Sequence, residues 1–476
     1  MVEQGCCSGW DRPGDGLDPS LRESFRETAA PGGARWAATY EDDAPRALAY
    51  QAGRAPRLPQ VCLEVSAMLF VGVDWAETQH AACLVVAAGT VVRRLTIPHT
   101  PAGLARLRAA ITAAEPDPTA VLVAIERPDG LLVEALLDAG YVVYALNPKA
   151  VERYRERTRL AGGKTDPADA ELLARVLLTD RDRQRPLQPH GPLAEELRVL
   201  ARQDETASRD QRRLLNRLRQ ELLAAFPALL DAFPDLGAVS TLAFLDRWPT
   251  AAAARTLRPA AIEAFLRQHR HNHPDTAAAR IHAALQAAAL TAPAHLAAAR
   301  VGAIQLAARQ LLLLHRQRAA WERRLRELLA GEGAHPDGEI LLSLPGLDAR
   351  LAARVLGEIG DRRERFPTPA ALQCYAGTAP VTKASGRARQ VVARTACNRF
   401  LRQALLRWAF CSLTRSAWAR TSYDRQRAAG KSHFQALRAL ANRWLEILHH
   451  LLATHQRYDE AVHQRNRARA AGVAAA

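Results

Sequence analysis

The sequence predicts a mixed α/β domain, then a coiled-coil region of long helices, then a mainly helical domain, all preceded by a disordered extension. Strand and helix patterns alternate only in residues 68–183; residues 184–336 keep a helical period without strand patterns, and residues 337–476 are helical and rich in Arg. A chain of 476 residues is too long for one core. Residues 1–67 carry ten acidic and seven basic residues and no sustained period, so we interpret them as a disordered extension, which would follow from a start site assigned too early; a genuine tail that orders on a partner is the alternative.

The predicted α/β domain begins at Met68 with three strand patterns separated by turn-length breaks, “MLFVGVDW”, “AACLVVAAG” and “TVVRRLTI”. A helix, the buried strand pattern “TAVLVAIE”, a helix closed by Gly140, the strand pattern “YVVYALN” and two further helices follow. Three successive strands followed by alternating helix and strand is the order of a ribonuclease-H-like layer. The order therefore favours that fold for residues 68–183.

Two long helices are predicted in residues 184–336. In both, apolar residues recur at spacings typical of a coiled-coil seam, with Arg318 as a charged interruption. A helical hairpin or a dimer arm would use these stripes, and so would a bundle that packs on itself; the pattern leaves these arrangements open. The stripe residues are Leu193, Leu197, Leu200, Leu214, Leu218 and Leu222, and Ile304, Ala307, Leu311, Leu314, Trp321, Leu325 and Leu328.

The charge of the chain indicates its partner. A net charge of +16 and a pI near 10.2 favour a polyanion, foremost nucleic acid, because bound phosphates release counterions. From Lys383 to Arg443, fourteen basic residues stand against one acid, Asp424. Aromatic residues interleave them, which favours a nucleic-acid-binding face over a solvated one. These aromatic residues are Trp408, Phe410, Trp418 and Tyr423.

Composition argues against several classes of protein. The seven cysteines are scattered without a C-x-x-C pattern, which argues against a disulfide framework and a zinc site. No apolar run approaches the roughly eighteen residues of a membrane span, and the N-terminus lacks a signal-peptide pattern. His269, His271 and His273 alternate, but a polar loop between helices is the preferred interpretation. We therefore expect a soluble, cytoplasmic protein with no membrane association.

Four carboxylates fall at the ends of strands and the start of a helix. Asp74 ends the first strand in “VGVDWAE” and Glu126 ends the buried strand in “VAIERPDG”. Asp166 and Asp169 lie on the opening turn of “DPADAELLARVLL”. Carboxylates so placed can converge at one edge of a sheet, where two Mg²⁺ ions about 4 Å apart activate a water or hydroxyl for phosphodiester cleavage.

Each carboxylate also has an ordinary structural explanation. Asp166 stands before a proline and fits an N-cap, and Asp169 suits the positive end of the helix. Asp74 fits loosely the phosphate-binding turn of an actin-like kinase, and Glu126 fits a surface pair with Arg127. The four together, in this order and on these elements, favour the metal site.

A candidate nucleophile stands in “YAGTAPVTKASGRARQ” near the C-terminus. Ser385 precedes Gly386 in a segment that reads as flexible between helices, and Lys383, Arg387 and Arg389 surround it. A serine hydroxyl attacks phosphorus only when it is oriented, deprotonated and beside charge that stabilises the phosphorane. An isolated Ser-Gly turn is the alternative.

Residues 68 to about 465 resemble the DEDD-type serine transposases of bacterial insertion sequences, a group also described as bridge-RNA-guided recombinases. The resemblance covers more than four fifths of the chain, and the extension has no counterpart in it. It rests on “VGVDWAETQH”, “IERPDG”, “YALNPKAVERYRERTRLAGGKTDPADAELLARVL”, “ILLSLPGLDARLAARVLGEIGD”, “FPTPAALQCYAGTAPVTKASG” and “ALRALANRWLEILHHLL”, in this order.

The resemblance implies a resolvase-like domain in which Asp74, Glu126, Asp166 and Asp169 bind Mg²⁺, with Mn²⁺ as a substitute. It implies that Ser385 forms a covalent phosphoserine link to a cut DNA strand. It further implies element-end and target DNA as partners, and a guide RNA whose base pairing reads the sequence. The family assembles as a homodimer or homotetramer in which the serine works beside the acidic site of another protomer.

Basic residues around the third and fourth carboxylates are candidates to hold substrate phosphate, with a solvated helix face as the alternative. They are Lys164, Arg153, Arg155, Arg157 and Arg159. The turn “LPGLD” is similar to a helix-hairpin-helix, although Asp348 stands where a second glycine would help the backbone approach phosphate.

Two rival functions remain open. A structure-specific nuclease or exonuclease would use the four carboxylates with water in place of serine. A catalytically inactive product of the element would only bind nucleic acid.

Overall fold

The structure is a computed structural model that describes residues 68–158, 165–287, 290, 292–386 and 388–465. These residues form two compact units, the first ending at Pro189 and the second beginning at His190. Several predictions fall outside the described residues: the disordered extension 1–67 and the phosphate ligands Arg159, Lys164 and Arg387.

The first unit is a mixed α/β domain around a five-stranded sheet of order β3-β2-β1-β4-β5. The first three strands are antiparallel neighbours, whereas β4 and β5 run parallel to β1. The predicted order of elements is confirmed, and it is compatible with the ribonuclease-H-like layer. The strands are β1 (Leu69–Trp75), β2 (Gln79–Val86), β3 (Val91–Pro98), β4 (Val121–Ile125) and β5 (Val142–Ala145); the helices are α1 (Pro101–Ala114), α2 (Leu131–Asp138), α3 (Pro148–Thr158) and α4 (Asp166–Asp180).

The two faces of this sheet bury separate cores. Along β1, Leu69, Val71 and Val73 pack with α1 and α2, whereas Phe70 packs with α3 and α4 on the other face. This alternation follows from the period of two in a strand. Residues of even number on β1 and β4 therefore face α4.

The second unit begins, in its described residues, with seven helices, of which the first and the last are very long. They are α5 (Pro192–Ala225), α6 (Ala228–Ala232), α7 (Val239–Arg247), α8 (Ala251–Arg255), α9 (Pro259–Gln268), α10 (Pro274–Gln286) and α11 (Ala294–Ala330). The predicted polar loop is confirmed, because the three alternating histidines lie where α9 ends and α10 begins.

The long helices α5 and α11 pack against each other in opposite directions. Residue numbers fall along α5 as they rise along α11 in the ion pairs Glu221–Arg300, Asp204–Arg318 and Glu196–Arg324. The two apolar stripes pack within the chain, and α6 to α10 cover part of the same core. The described residues thus form an intramolecular helical bundle; a coiled-coil dimer arm stays a prediction.

The interruption of the stripe at Arg318 is an ion pair inside the bundle. Arg318 Nε lies 2.8 Å from Asp204 Oδ1, and Arg318 Nη1 donates to Gln211 Oε1 at 2.6 Å. The two charged side chains are only 13% and 7% exposed. A charged residue on the seam is therefore tolerated because its partner is buried with it.

Helix α11 is an exception to the expectation that no segment approaches a membrane span. Among the described helices, α11 alone is long enough and apolar enough, by length and composition, to cross a membrane. Core helices of soluble proteins share this length and composition. Ile304, Ala308 and Leu311 of this helix are buried in the bundle core.

The remainder of the second unit is helical with one small hairpin. The elements are α12 (Gly338–Leu342), α13 (Ala349–Ile359), α14 (Pro369–Ala376), β6 (Val381–Ser385), β7 (Ala388–Val392), α15 (Arg399–Ser412), α16 (Ala417–Ala428) and α17 (His433–Thr454). The hairpin β6–β7 replaces the flexible segment predicted around Ser385.

The aromatic part of the predicted nucleic-acid face is wrong. Trp408 is fully buried and stacks on Trp444 in the core of this domain, and Trp418, 6% exposed, packs against the same ring in a tilted arrangement. Phe410 and Tyr423 are half-buried against the same core. These rings alternate with arginines because each helix has one buried face and one solvated face.

The Pro-Gly turn between α12 and α13 is packed into the protein. A Cβ atom at Gly346 would stand 2.7 Å from the backbone N of Ser412 in α15, and Trp408 donates to the Pro345 carbonyl at 3.1 Å. Asp348 caps α13 by accepting from the amide of Leu351 at 2.8 Å. The glycine thus serves close helix packing, and the similarity to a helix-hairpin-helix does not extend to an open phosphate-binding turn.

Candidate active site

Asp74 and Glu126 are neighbours at the carboxyl edge of the sheet. The parallel register ends with Val73 paired with Ile125, so Asp74, in β1, and Glu126, the first residue after β4, come next at the same edge of the sheet. Both have even numbers and therefore lie on the α4 face, and both are half-buried. The register thus places next to each other two acidic residues that stand 52 positions apart in the sequence.

Helix α4 runs back along β1, so its first turn lies at the same edge. Arg181, after the last turn of α4, contacts the sulfur of Met68 before β1, while Ala170 in the second turn packs on Gly72. The start of α4 is consequently nearest to the end of β1. The first-turn residues Asp166 and Asp169 therefore share an edge and a face with the strand-end carboxylates.

The environments of these two aspartates differ. Thr165 occupies the N-cap position and Asp166 is the first helical residue, so the alternative of Asp166 as the N-cap is shifted by one residue. Asp166 is exposed, whereas Asp169 is only 3% exposed. The helix dipole favours both charges, but only Asp169 loses its water.

Asp169 is paired with an arginine. Arg155 Nε, on α3, donates to Asp169 Oδ1 at 3.1 Å. Of the neighbouring arginines on α3, Arg153 is exposed and Arg157 lies over the ring of Tyr154, with Cζ 5.1 Å from the ring centroid. Only Arg155 of these three is thus placed against a predicted metal ligand.

The donor set of this edge suits a hard cation, although its side chains are not gathered around one point. Among the described residues, no three His, Cys, Asp or Glu side chains form a group that could hold a metal ion. All four predicted ligands are carboxylates, which Mg²⁺ prefers, and they share one edge and one face. The backbone therefore fits the predicted site, while Arg155 holds one of its ligands.

A stacked column lies behind the two strand ends, on the other face of the sheet. Arg127 Cζ stands 4.3 Å from the centroid of the Trp75 ring, and Arg127 also pairs with Asp129 at 3.5 Å. Trp75 stacks on buried His80, which shares a hydrogen bond of 2.8 Å with His99. Burial and then His99 hold the pKa of His80 below its usual value. Arg127 thus contacts the column in place of the surface pair with Glu126 considered above.

The sequence did not single out this column. Its signal was the aromatic residue directly after the first carboxylate, in “DWAE”, and the basic residue directly after the second, in “ERPDG”. Adjacent parallel strands place the residues after the two carboxylates, Trp75 and Arg127, next to each other in the same way. The column therefore ties the two carboxylate-bearing strand ends to each other.

Ser385 lies in the second unit, at the tip of an exposed hairpin. It pairs with Ala388 across the turn, and Gly386 takes a left-handed φ of +55° there. Lys383 stands two residues earlier on the same face as Ser385. Arg389 pairs with Ala384 and therefore lies on the other face. The hairpin brings one predicted basic residue beside the serine and directs another away.

A buried polar network holds the chain where it leaves the hairpin. Asn398 Nδ2 donates to Glu358 Oε2 at 2.7 Å and to the hydroxyl of Tyr375 at 2.9 Å. Glu358 is 5% exposed and accepts two bonds from Arg202, at 2.7 and 3.0 Å. Asn398 also caps α15 through the amide of Leu401. The network joins four residues that are distant in sequence, Arg202, Glu358, Tyr375 and Asn398, so no single sequence motif could predict it.

Comparison with known proteins agrees with both units. A family model described as a transposase of the DEDD IS110 type matches residues 71–227, and one described as “Transposase IS116/IS110/IS902 family” matches residues 338–424. The first range contains the four carboxylates, and the second contains Ser385.

Full-length relatives show the same relationship. The mini-circle putative transposase for IS117 of Streptomyces coelicolor is 38% identical over 412 residues, covering 83% of this chain and 97% of the relative. An uncharacterized 43.6 kDa protein of insertion element IS110 from the same organism is 30% identical, covering 81% and 94%. An uncharacterized 42 kDa protein of IS900 from Mycobacterium paratuberculosis is 29% identical, covering 83% and 98%. The chain therefore belongs to the IS116/IS110/IS902 family of transposases, the enzymes of insertion elements.

Proposed function

We propose that this transposase cuts and rejoins DNA with Ser385 as nucleophile and with Mg²⁺ held by Asp74, Glu126, Asp166 and Asp169. The placement of four carboxylates on one face and one edge of the sheet is the observation that carries the proposal. Bound there, Mg²⁺ or Mn²⁺ would supply the positive charge that activates the attacking group and stabilises the leaving oxygen.

Ser385 suits a nucleophile because it is exposed at a hairpin tip. Its hydroxyl oxygen bonds to the scissile phosphorus, the bond from phosphorus to the departing deoxyribose oxygen breaks, and the hydroxyl proton passes to that oxygen or to solvent. A hydroxyl of the receiving strand then attacks the phosphoserine, which rejoins DNA and restores the serine. Lys383 and Arg387 offer charge for the phosphorane and Lys164 for the flanking phosphate, while Arg389, on the other face of the hairpin, offers charge for the DNA backbone away from the scissile phosphate.

The proposed partners are element-end DNA, target DNA and a structured guide RNA. The net charge of +16 suits such a load of phosphates. Base pairing by the RNA would read the sequence, while the protein reads backbone and shape. Cleavage of both DNA ends should therefore require the transcript of the element's noncoding end, and a scrambled transcript of equal length should not replace it.

Denaturing gels test the nucleophile. Incubation with both DNA ends, RNA and Mg²⁺ should give a protein–DNA adduct that Ser385→Ala abolishes. Thr382→Ala, on the same exposed strand, is the control and should keep the adduct. An adduct and recombination in Ser385→Ala would refute the assignment, and cleavage without any adduct would favour the nuclease that uses water.

Charge-neutral substitutions test the carboxylates. Asp166→Asn and Asp169→Asn should each abolish cleavage; the exposed Asp166→Asn should barely change the melting temperature, whereas Asp169→Asn also breaks the ion pair with Arg155 and should lower it. Asp275→Asn makes the same change in the first turn of α10 and should leave cleavage intact. Strong destabilisation with activity kept would instead favour a capping role, and an inactive wild-type protein that still binds DNA would favour the binding-only rival.

Mixing experiments test whether the serine and the carboxylates come from different protomers. In a dimer or tetramer that shares sites, Ser385→Ala mixed with Asp169→Asn rebuilds one complete site from the two intact halves. Adduct formation should then return in the mixture although each variant alone is inactive. A mixture that stays inactive after subunit exchange would place both groups in one protomer.

A further inference from the structure

We propose that Arg155 is a mobile counter-ion of the catalytic site, which neutralises Asp169 before metal binds and moves to a DNA phosphate once metal takes that carboxylate. This inference rests on the proposed function, because it assumes that Asp169 is a metal ligand. It assigns Arg155 a role that neither a solvated helix face nor a permanent phosphate ligand would predict.

The ion pair explains how Asp169 is tolerated without metal. The Asp169 side chain is 4% exposed and that of Arg155 is 21% exposed. A carboxylate so deeply buried is costly unless a cation or hydrogen-bond donors compensate its charge. Arg155 supplies both, since Nε donates to Oδ1 at 3.1 Å.

Because of this contact, Arg155 and a metal ion would compete for the carboxylate of Asp169. A guanidinium and Mg²⁺ on one carboxylate repel each other, and the repulsion is strong where water is excluded. Mg²⁺ also demands close, nearly octahedral oxygen ligands, which leaves little freedom to share Oδ1 with a donor. Metal binding should therefore displace Arg155 rather than recruit it.

The displaced side chain would be free to bind a second anion, a phosphate of the DNA. Arg155 lies on the side of α3 that faces α4, and its side chain is still 21% exposed. The exposed Arg153 and Arg157, on another side of the same helix, add positive charge near this edge. A DNA phosphate brought to the metal edge would meet the Arg155 guanidinium, for which a bidentate contact with phosphate is favourable. The exchange of one anion for the other would couple metal binding to the arrival of DNA.

Two measurements on Arg155→Gln separate this role from a structural one: the affinity for metal should rise, whereas the rate of strand cleavage should fall. Calorimetry with Mn²⁺ and full-length protein in the absence of DNA should show about tenfold tighter binding for Arg155→Gln than for wild type. Strand cleavage by the same variant at saturating metal should fall about tenfold or more. Arg153→Gln, an exposed neighbour on α3, is the matched control and should leave Mn²⁺ affinity unchanged.

Chemical modification tests the wild-type protein, in case Arg155→Gln fails to fold. Phenylglyoxal modifies accessible guanidinium groups, and mass spectrometry reports each arginine separately. Mg²⁺ without DNA should increase the rate at Arg155 relative to Arg153, because the ion pair opens. A rate at Arg155 that falls or stays constant would overturn the proposal.

The outcomes also distinguish failure of this inference from failure of the proposed function. If the carboxylates do not bind metal, wild type will show no Mn²⁺ binding that Asp169→Asn removes. If they do bind metal but Arg155 supports the site, Arg155→Gln will weaken Mn²⁺ binding, as loss of a partner of a metal ligand usually does. Weaker or unchanged binding overturns the counter-ion role alone.

Discussion

Gly72 of β1 lies directly against the backbone of Ala170 in α4. A Cβ atom at Gly72 would overlap the Ala170 carbonyl oxygen and stand 2.6 Å from the amide nitrogen of Ala174. Gly72 precedes Asp74 by two residues on the same face, and Ala170 follows Asp169 directly. The contact therefore fixes how closely the helix-borne carboxylates approach those of the strands.

Substitution of Gly72 should loosen this approach. Gly72→Ala forces backbone apart from backbone, and overpacking of this kind costs about 1–3 kcal/mol or more. We expect a lower free energy of unfolding in urea and, if the carboxylates bind metal, weaker Mn²⁺ binding. Gly302→Ala in α11 is the control: nothing lies within 4 Å of its added Cβ, so it should be neutral or stabilising by up to about 1 kcal/mol. Equal stability of both variants would show that α4 shifts freely on the sheet.

The strand-end carboxylates could be predicted from sequence because the pattern itself marks where burial ends. “LFVGVDW” and “VLVAIE” are apolar runs that stop at Asp74 and Glu126, and parallel pairing then makes the ends neighbours. The pairing of Arg155 with Asp169 could not be predicted in this way. It depends on how α3 and α4 pack, which no local period reports.

The hairpin and the aromatic residues were missed for a different reason. Strand β6, “VTKAS”, has almost no buried side chain, so it lacks the alternation that announces a strand. Trp408 and Trp418 sit among arginines, and only tertiary packing separates a core face from a binding face on such helices. The composition shows that tryptophans and arginines occur together in these helices, but it does not show that the tryptophans lie on the buried face and the arginines on the solvated face.

Removal of Arg318 should destabilise the bundle through the charge that it leaves behind. Arg318→Met leaves Asp204 buried without its closest cation, a loss of about 3 kcal/mol in the free energy of unfolding. Arg350 stands 4.0 Å from the same carboxylate and compensates only in part. The double variant Arg318→Met with Asp204→Leu should recover most of the loss, because neither member of the pair is then left as an unpaired buried charge. Urea denaturation of the three proteins measures this, and wild-type stability of Arg318→Met alone would contradict it.

Acid should destabilise the second unit through buried histidines, with His335 as a testable case. Burial lowers the pKa of His335; Asp361 opposes this shift and Arg363 adds to it. A lowered pKa means that the unfolded chain takes up the proton first, so stability is complete above about pH 6.5 and falls as pH drops through the folded pKa.

His335→Asn removes this titration while Asn Oδ1 replaces the Nδ1 that accepts from the Asp337 amide at 3.1 Å. Between pH 7.5 and 5.5, the variant should lose up to about 1 kcal/mol less unfolding free energy than wild type. Urea midpoints across this range provide the measurement. Parallel pH profiles for the two proteins would assign the acid sensitivity to other groups.

The side-chain amide of Asn398 should stabilise the fold through its contact with Glu358, in addition to capping α15. Asn398→Asp keeps an oxygen to accept from the Leu401 amide, but it places a carboxylate against buried Glu358. Like charges at this distance should lower the free energy of unfolding by about 2 kcal/mol. Glu358→Gln added to Asn398→Asp restores one acid and one amide at the contact, so part of the stability should return. Thermal unfolding of the single and double variants decides this: if Asn398→Asp is as stable as wild type, the capping bond alone fixes the chain behind the hairpin.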